Sequence, residues 1–170
     1  SGYTALDGGN FFACALDSAG SITCWGRDDF QQVTNAPGGS GYTRLGLGSQ
    51  GGCALDGAGG IDCWGRDVHQ EVSGAPTGSF DALTCGAEHC CALDAQGSMT
   101  CWGNNYDGFG NHQGQGTGVS CAPATCQQIA AGKYHNCALD STGSIECWGR
   151  DTYAQVRETP SGSGYTALSG

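Results

Sequence analysis

The sequence predicts an all-β protein built from four similar units, and three observations support this prediction. First, CALDSAGSITCWGRD, which begins at Cys14, recurs as CALDGAGGIDCWGRD from Cys53, CALDAQGSMTCWGNN from Cys91 and CALDSTGSIECWGRD from Cys137. Second, each copy holds two short apolar-rich runs separated by an aspartate and a glycine, which is the pattern of a β-hairpin. Third, no stretch of the chain has convincing helical periodicity.

The composition indicates a protein that works outside the cell. Its 170 residues include 12 cysteines, and regularly spaced cysteines at this density indicate a disulfide framework in an oxidising compartment. The net charge of -10 argues against a nucleic-acid partner, because binding phosphates requires a basic surface. No apolar run reaches the roughly 20 residues of a membrane span. No secretory leader is visible, so we expect Ser1 to begin a processed or trimmed chain.

The two cysteines of each copy are ten positions apart, and we expect them to face each other across the hairpin. With Asp17 opposite Ser21 at the turn, counting outward places Cys14 opposite Cys24 at a non-hydrogen-bonded site. The α-carbons at such a site approach to about 4.5 Å, which a disulfide accepts. The same count predicts four hairpin disulfides: Cys14–Cys24, Cys53–Cys63, Cys91–Cys101 and Cys137–Cys147.

A further strand starts eleven residues before each of these hairpins. The matching segments are YTALDGG from Tyr3, YTRLGLG from Tyr42, FDALTCG from Phe80 and CQQIAAG from Cys126. After each Trp-Gly comes a polar stretch, in which we expect one more short strand, around Phe30–Val33 in the first unit. Three or four short strands in a unit of about 40 residues are typical of a β-propeller blade.

These segments divide the chain into a single repeat domain over residues 1–170. The blades are expected at 2–40, 41–79, 80–125 and 126–163, followed by the first strand of a fifth repeat, or a swapped strand, at 164–170. Blade 3 carries an insertion at 104–125, and the four remaining cysteines lie in or near it. Of the three pairings that four cysteines allow, we favour the local one, which joins Cys85 to Cys90 and Cys121 to Cys126.

The segment YTALDGGNFFACALDSAGSITCWG at 3–26 resembles the repeat of the regulator of chromosome condensation family, and the resemblance covers essentially all of the chain. AAGKYHNCALDSTGSIECWG at 130–149 matches the repeat best, and CGAEHCCALDAQGSMTCWGNNYDGFG at 85–110 also keeps its Trp-Gly-x-Asn-x-x-Gly end. The resemblance implies β-propeller blades and, for His89 and His135, a role in stapling the backbone of their turns. That family includes a nucleotide exchange factor, β-lactamase-inhibitory proteins and many secreted repeat proteins, so the resemblance implies a fold and no single function. The chain departs from the family in having only four blades and a cysteine pair in each.

The two ends of the chain carry the same strand, since GYTAL at 2–6 recurs at 164–168. Three explanations stay open: a longer repeat array, closure of the chain on itself, or addition of the strand of one copy to the next. In the third case the assembly strands comprise Tyr3, Thr4, Ala5 and Leu6 at one end and Tyr165, Thr166, Ala167 and Leu168 at the other.

The polar residues that recur with the repeat are expected to be structural. Aspartates open the hairpin turns at Asp17, Asp56, Asp94 and Asp140. Arginine–aspartate pairs are expected to form ladders between blades, at Arg27-Asp28, Arg66-Asp67 and Arg150-Asp151. Tryptophans are expected to pack against neighbouring blades, at Trp25, Trp64, Trp102 and Trp148. We assign no catalytic residue, metal site or cofactor, because the histidines show no ligand spacing and no nucleophile motif is present.

Two functions fit this sequence. The favoured one is an extracellular structural protein, a subunit of a fibre or surface assembly joined to other copies head-to-tail through the terminal strands. The alternative is a secreted propeller that binds a protein or a glycan through its loops, with the blade 3 insertion as the recognition loop. The candidate binding residues of that loop are Tyr106, Phe109 and His112.

Overall fold

A computed structural model of the chain describes residues 2–106, 112–117, 121–122 and 124–169. The regular secondary structure of these residues is entirely β: four sheets, each of three antiparallel strands. The prediction of an all-β propeller repeat with a disulfide-linked hairpin in each of four blades is therefore confirmed. None of the described residues forms a helix long and apolar enough to cross a membrane.

Each blade is a meander of three strands numbered in chain order. They are β1 (Tyr3–Gly8), β2 (Phe12–Asp17) and β3 (Ile22–Gly26) in blade 1; β4 (Tyr42–Leu47), β5 (Gly51–Asp56) and β6 (Ile61–Gly65) in blade 2; β7 (Ala82–Cys85), β8 (His89–Leu93) and β9 (Met99–Gly103) in blade 3; and β10 (Cys126–Ala131), β11 (His135–Asp140) and β12 (Ile145–Gly149) in blade 4.

The hairpin of the second and third strands has the expected register. Cys14 lies opposite Cys24, and the α-carbons of the four hairpin disulfides are 4.0 to 4.1 Å apart. At the turn, one carboxylate oxygen of Asp17 accepts the N–H groups of Ala19 and Ser21 at 2.8 and 2.9 Å. The turn then closes at Gly20, whose φ of 75° is available to glycine at no steric cost.

The hairpin disulfide of one blade packs against the tryptophan of the next blade. Trp64 shares a hydrophobic cluster with Cys14 and Cys24 of blade 1. The same relation places Trp102 over the blade 2 disulfide and Trp148 over the blade 3 disulfide. Because these contacts recur at each junction, they form the core that holds consecutive blades together.

Trp25 is the exception, and for this residue the expected packing against a neighbouring blade is wrong. Its side chain is 50% exposed, whereas Trp64, Trp102 and Trp148 are buried. The reason is positional, since Trp25 belongs to the first blade and the described residues supply no preceding disulfide on which it could pack.

The connecting loop after each Trp-Gly is not a strand, so the expectation of a strand around Phe30–Val33 is wrong. Residues 29–36 form consecutive turns and bends. Asp28 folds this loop, because its carboxylate accepts the N–H groups of Val33 and Thr34 at 2.7 and 3.1 Å. In a strand, these N–H groups would donate to carbonyls of a neighbouring strand. Here they donate to the Asp28 side chain instead.

The same capped loop follows blades 2 and 4, where Asp67 and Asp151 accept the N–H groups five and six residues further on. The three aspartates of the Arg-Asp pairs are thus loop caps, and the expectation that they form ladders between blades is wrong. Among the arginines of these pairs in the described residues, Arg66 alone forms a salt bridge to another blade, to Glu88 at 2.9 Å.

Near the first strands, side chains of one blade accept backbone N–H groups of the next. Asp7 on β1 accepts the N–H of Leu47 on β4 at 2.8 Å, and Thr84 on β7 accepts the N–H of Ala131 on β10 at 3.1 Å. Burial raises the pKa of Asp7, and the bonds from Leu47 and Gly8 only partly oppose this effect.

Replacement of Trp64 by alanine should destabilise the protein far more than replacement of Trp25. Trp64 is 3% exposed and donates its indole N–H to the carbonyl of Gln32 at 2.9 Å. Removing such a side chain costs about 3–5 kcal/mol, whereas Trp25 has little packing to lose. Urea unfolding of both variants with intact disulfides measures this difference, and equal losses would contradict the disulfide–tryptophan packing.

Replacement of Asp28 by asparagine should make the protein less sensitive to acid. Backbone hydrogen bonds, chiefly from Val33, hold the pKa of Asp28 below its usual value of 3.8. The stabilisation by this carboxylate is therefore present above pH 3.8 and is lost as the pH falls through the lower folded-state pKa. Between about pH 5 and about pH 2, the urea midpoint of Asp28→Asn should fall less than that of the wild type.

Asp7→Asn provides a control of opposite sign. The pKa of Asp7 is raised above 3.8 in the folded protein, so the folded state favours the protonated carboxyl. The stabilisation by this group is therefore present at low pH and is lost as the pH rises through the folded-state pKa. Relative to the wild type, Asp7→Asn should become more stable as the pH rises. The same sign for both variants would contradict these assignments.

Candidate functional site

The turns between the first and second strands of all four blades lie at one edge of the molecule, which we call the turn edge. They are Gly9-Asn10-Phe11, Gly48-Ser49-Gln50, Gly86-Ala87-Glu88 and Gly132-Lys133-Tyr134. In each turn the glycine N–H donates to the carbonyl of the residue three positions on, at 2.8 to 2.9 Å. The first two residues of every turn line a common groove.

Neighbouring turns touch each other through their backbones. Ser49 donates its N–H to the carbonyl of Ala87 at 2.7 Å, and Ala87 donates to the carbonyl of Lys133 at 3.1 Å. The glycines are needed for this approach: a Cβ at Gly48 would lie 2.9 Å from the carbonyl oxygen of Gly86. The floor of the groove is therefore a nearly continuous backbone surface, to which Asn10 and Lys133 add polar side chains.

The third residue of each turn pairs with the residue that follows Trp-Gly, and we call these the rim pairs. Their backbones are joined identically, with N–H to carbonyl distances of 2.7 to 3.0 Å. Their side chains differ: Arg27 stacks over Phe11, Arg66 bonds Gln50, Asn104 bonds Glu88, and Arg150 stacks over Tyr134. A fixed scaffold that displays different chemistry in each blade is suited to recognition.

Four of the six lysines and arginines of this acidic chain lie at the turn edge: Arg27, Arg66, Lys133 and Arg150. Arg27 pairs with Asp29, and Arg66 pairs with Glu88. On blade 4, the Lys133 ammonium and the Arg150 guanidinium lie 5.1 and 5.4 Å from the ring centroid of Tyr134. Blade 4 thus presents two cations that form no salt bridge with a carboxylate in the described residues.

The predicted binding loop of blade 3 is only partly described. Tyr106 and His112 form a β-bridge, and their rings meet edge-on with centroids 5.3 Å apart. Tyr106 is 49% exposed and follows the rim residue Asn104, so the loop leaves the scaffold at the turn edge. Phe109, the third predicted residue, lies outside the described residues.

A chain of buried polar side chains anchors this loop to blade 4. Gln115 donates to the carbonyl of Tyr106, Asn136 on β11 donates to the carbonyl of Gln115, and His89 bonds the Asn136 side-chain oxygen, all at 2.9 Å. Burial lowers the pKa of His89. His89 thus bonds a side chain of the next blade, and its ring also packs against Gly86 of its own turn.

The two remaining cysteine pairs are joined locally in the structure, Cys85 to Cys90 and Cys121 to Cys126. The sulfur atoms of Cys53, Cys85 and Cys90 lie within 4.8 Å of one another. Each of the three belongs to a disulfide. A disulfide sulfur lacks the negative charge of the thiolate that binds metal, so this cluster is not a metal site in the oxidised protein.

The predicted assembly strands lie at opposite ends of the arc of blades. On blade 1, Tyr3 and Leu6 are 67% and 70% exposed, and with Trp25 they form what we call the leading face. Thr4 donates its hydroxyl to the carbonyl of Asp17, and Ala5 is half-buried.

At the other end, Tyr165 donates its N–H to Gly143 at 3.1 Å, as Tyr42 does to Gly20 of the preceding blade. Gln128 holds this segment by bonds to Thr166 and Leu168, with Ala167 exposed between them. The segment forms no β-ladder in the described residues.

Two parts of the sequence match the family model described as the regulator of chromosome condensation (RCC1) repeat. They are residues 80–108 and 126–155, which contain the strands of blades 3 and 4. No curated protein matches the sequence significantly.

Solved structures resemble the fold more completely. The ectodomain of the receptor kinase CR4 from Physcomitrella patens aligns with a TM-score of 0.77 and 25% identity, over 98% of this chain and 47% of that chain. The CRINKLY WD40 ectodomain of ACR4 from Arabidopsis thaliana aligns with a TM-score of 0.70 and 24% identity, over 86% and 50%. Prp20p from Saccharomyces cerevisiae aligns with a TM-score of 0.67 and 19% identity, over 83% and 42%. The chain thus spans at most half the length of these structures.

Together with the sheets and the interblade packing, these matches define the class: a β-propeller repeat protein with a disulfide in every hairpin. Within that class, blades 3 and 4 match the RCC1 repeat, and the chain as a whole has the fold of RCC1-like propellers.

Sequence reasoning missed the turn edge as a candidate site. A signal was available, because the residues around each turn differ between repeats (NFF, SQG, AEH and KYH) while the flanking Cys-Ala-Leu is constant. Such variation at a fixed position marks the place where a repeat protein can vary its contacts without disturbing its core.

Proposed function

We propose that this chain is an extracellular propeller module that binds a protein partner through the turn edge. The observation that carries the proposal is that four different rim pairs follow directly on the turn residues that line one groove. The six disulfides support an extracellular setting, and the proposal assigns the chain no reaction.

The chemistry of the rim favours a protein over a glycan as the partner. Sugars bind to aromatic rings whose faces are free, but Arg27 lies over the ring of Phe11, and two cations lie over the ring of Tyr134. Arginine and tyrosine are enriched at the centres of protein interfaces, where arginine also pairs with carboxylates. Similar structures support this choice in part, since a solved structure shows yeast RCC1 (Prp20) bound to Kap60.

The first test maps the binding surface by cross-linking. A photoreactive amino acid at Phe11 or at Tyr134 should give the same covalent adduct when the protein meets the extracellular proteins of its source. Substitution of Ser18 or Gln96, which lie in hairpin turns at the opposite ends of the strands, provides the control. Equal adducts from all four positions, or none from the turn edge, would refute the proposal.

Arginine substitutions test the rim quantitatively once the partner is isolated. Arg150→Ala should weaken binding about tenfold, equivalent to about 1.4 kcal/mol, as judged by calorimetric titration. Arg44→Ala is the control, because Arg44 is exposed and donates to the carbonyl of Asp81 away from the turn edge. Equal losses for the two variants would show that the rim does not form the interface.

The favoured expectation from the sequence, head-to-tail assembly, is a second candidate, and the leading face supports it. Tyr3, Leu6 and Trp25 occupy the positions at which Tyr42, Leu45 and Trp64 of blade 2 pack on blade 1. An exposed surface of this kind fits another blade of the same repeat. That blade belongs either to a second copy or to further repeats of the same chain.

Sedimentation over a concentration series tests self-association. Leu6→Asp should shift the protein towards monomer, whereas Val68→Asp, at a loop residue that is 64% exposed, should leave the distribution unchanged. A wild-type protein that stays monomeric at high concentration would exclude assembly of separate copies through this face.

A further inference from the structure

Two disulfides meet at the junction of blades 2 and 3. The Sγ atom of Cys53, in the hairpin disulfide Cys53–Cys63, lies 3.7 Å from the Sγ atom of Cys90, in the turn disulfide Cys85–Cys90. Cys53 lies on β5 and Cys90 on β8, so the two sulfurs belong to different blades. Both are buried, whereas their partners Cys63 and Cys85 are half-buried.

We propose that this junction is a thiol–disulfide exchange site. Reduction of Cys85–Cys90 by an external dithiol frees Cys90 to attack Cys53, which creates a Cys53–Cys90 disulfide between blades 2 and 3. The proposal is independent of the turn edge and of any partner that binds there.

The exchange begins at Cys85, which is the more exposed cysteine of its pair. A thiolate of the dithiol attacks Cys85, which forms a mixed disulfide and releases Cys90 as a thiolate. The second thiol of the reagent then attacks the reagent sulfur of the mixed disulfide, which releases Cys85 as a thiolate and leaves the reagent as a cyclic disulfide. One dithiol is thus oxidised, and the protein gains two electrons and two thiols.

The second step moves the surviving disulfide without any further reductant. The Cys90 thiolate attacks Cys53, the Cys53–Cys63 bond breaks, and Cys63 leaves as a thiolate that takes up a proton from water. The product has one disulfide, Cys53–Cys90, and two thiols, at Cys63 and Cys85. The number of disulfides is unchanged in this step, so it requires only the contact of the two sulfurs.

The local structure is suited to this exchange in two ways. Gly46 faces the turn disulfide, and a Cβ there would lie only 3.2 Å from the Cys85 sulfur, so the absence of a side chain leaves room beside it. The attacking and attacked sulfurs are already in contact inside the core, where Cys53 and Cys90 share one hydrophobic cluster. The attack therefore needs no separation of the blades.

Tryptic mapping of the folded, oxidised protein gives a direct test. Trypsin cuts after Arg44, Arg66 and Lys133, which places Cys53 and Cys63 in one peptide, 45–66, and Cys85 and Cys90 in the next, 67–133. The four disulfides formed by the cysteines of these two peptides each lie within one peptide and do not join the two. After limited treatment with dithiothreitol and alkylation, we expect the two peptides to be linked and the label to lie on Cys63 and Cys85.

The same digest distinguishes the alternatives. Labels on Cys85 and Cys90 with Cys53–Cys63 intact would overturn the proposal, because reduction would then have stopped at the turn. Labels on Cys24 equal to those on Cys63 would also overturn it, because they would indicate general reduction of the hairpins. The double variant Cys85→Ser/Cys90→Ser lacks the attacking thiol, so Cys63 should remain unlabelled in it; labelling there would equally refute the exchange.

Discussion

The packing of a tryptophan against the disulfide of the preceding blade is the interaction on which the rest of the structure depends. A hairpin of eleven residues such as 14–24 has little apolar surface of its own. The disulfide holds the two strands together and also offers the next blade a compact apolar surface. Trp64 covers the pair Cys14–Cys24 and donates its indole N–H to the connecting loop. Covalent and hydrophobic stabilisation are thus combined at each junction, and each repeat is stabilised by its neighbour.

This arrangement separates the parts of the repeat that must stay constant from those that can vary. The hairpin cysteines and the capping aspartates Asp28, Asp67 and Asp151 recur because the junction and the connecting loop require them. The turn edge carries no such requirement beyond the glycine that begins each turn. Its rim pairs can therefore differ from blade to blade, as Phe11–Arg27 and Glu88–Asn104 do, without loss of interblade packing.

Several elements were predictable because they depend on short-range chemistry. The pairing of Cys14 with Cys24 follows from hairpin register, and the turn at Asp17 follows from the hydrogen bonds that an aspartate offers to nearby N–H groups. The loop at Phe30–Val33 was mispredicted for a related reason: its apolar residues suit a strand, yet Asp28 offered the backbone a competing acceptor. Pattern alone does not reveal which acceptor a backbone N–H will choose.

The sequence by itself determined the repeat, the hairpins with their disulfides and the propeller class, because these follow from periodicity and from contacts within about a dozen residues. Only the tertiary structure decided what lies between blades. It shows that Trp64 is buried while Trp25 is exposed, that Arg66 reaches Glu88, and that the Cys53 and Cys90 sulfurs touch. These contacts join residues from different repeats. The distance between such residues depends on the angle at which one sheet packs against the next, and no local sequence pattern encodes that angle.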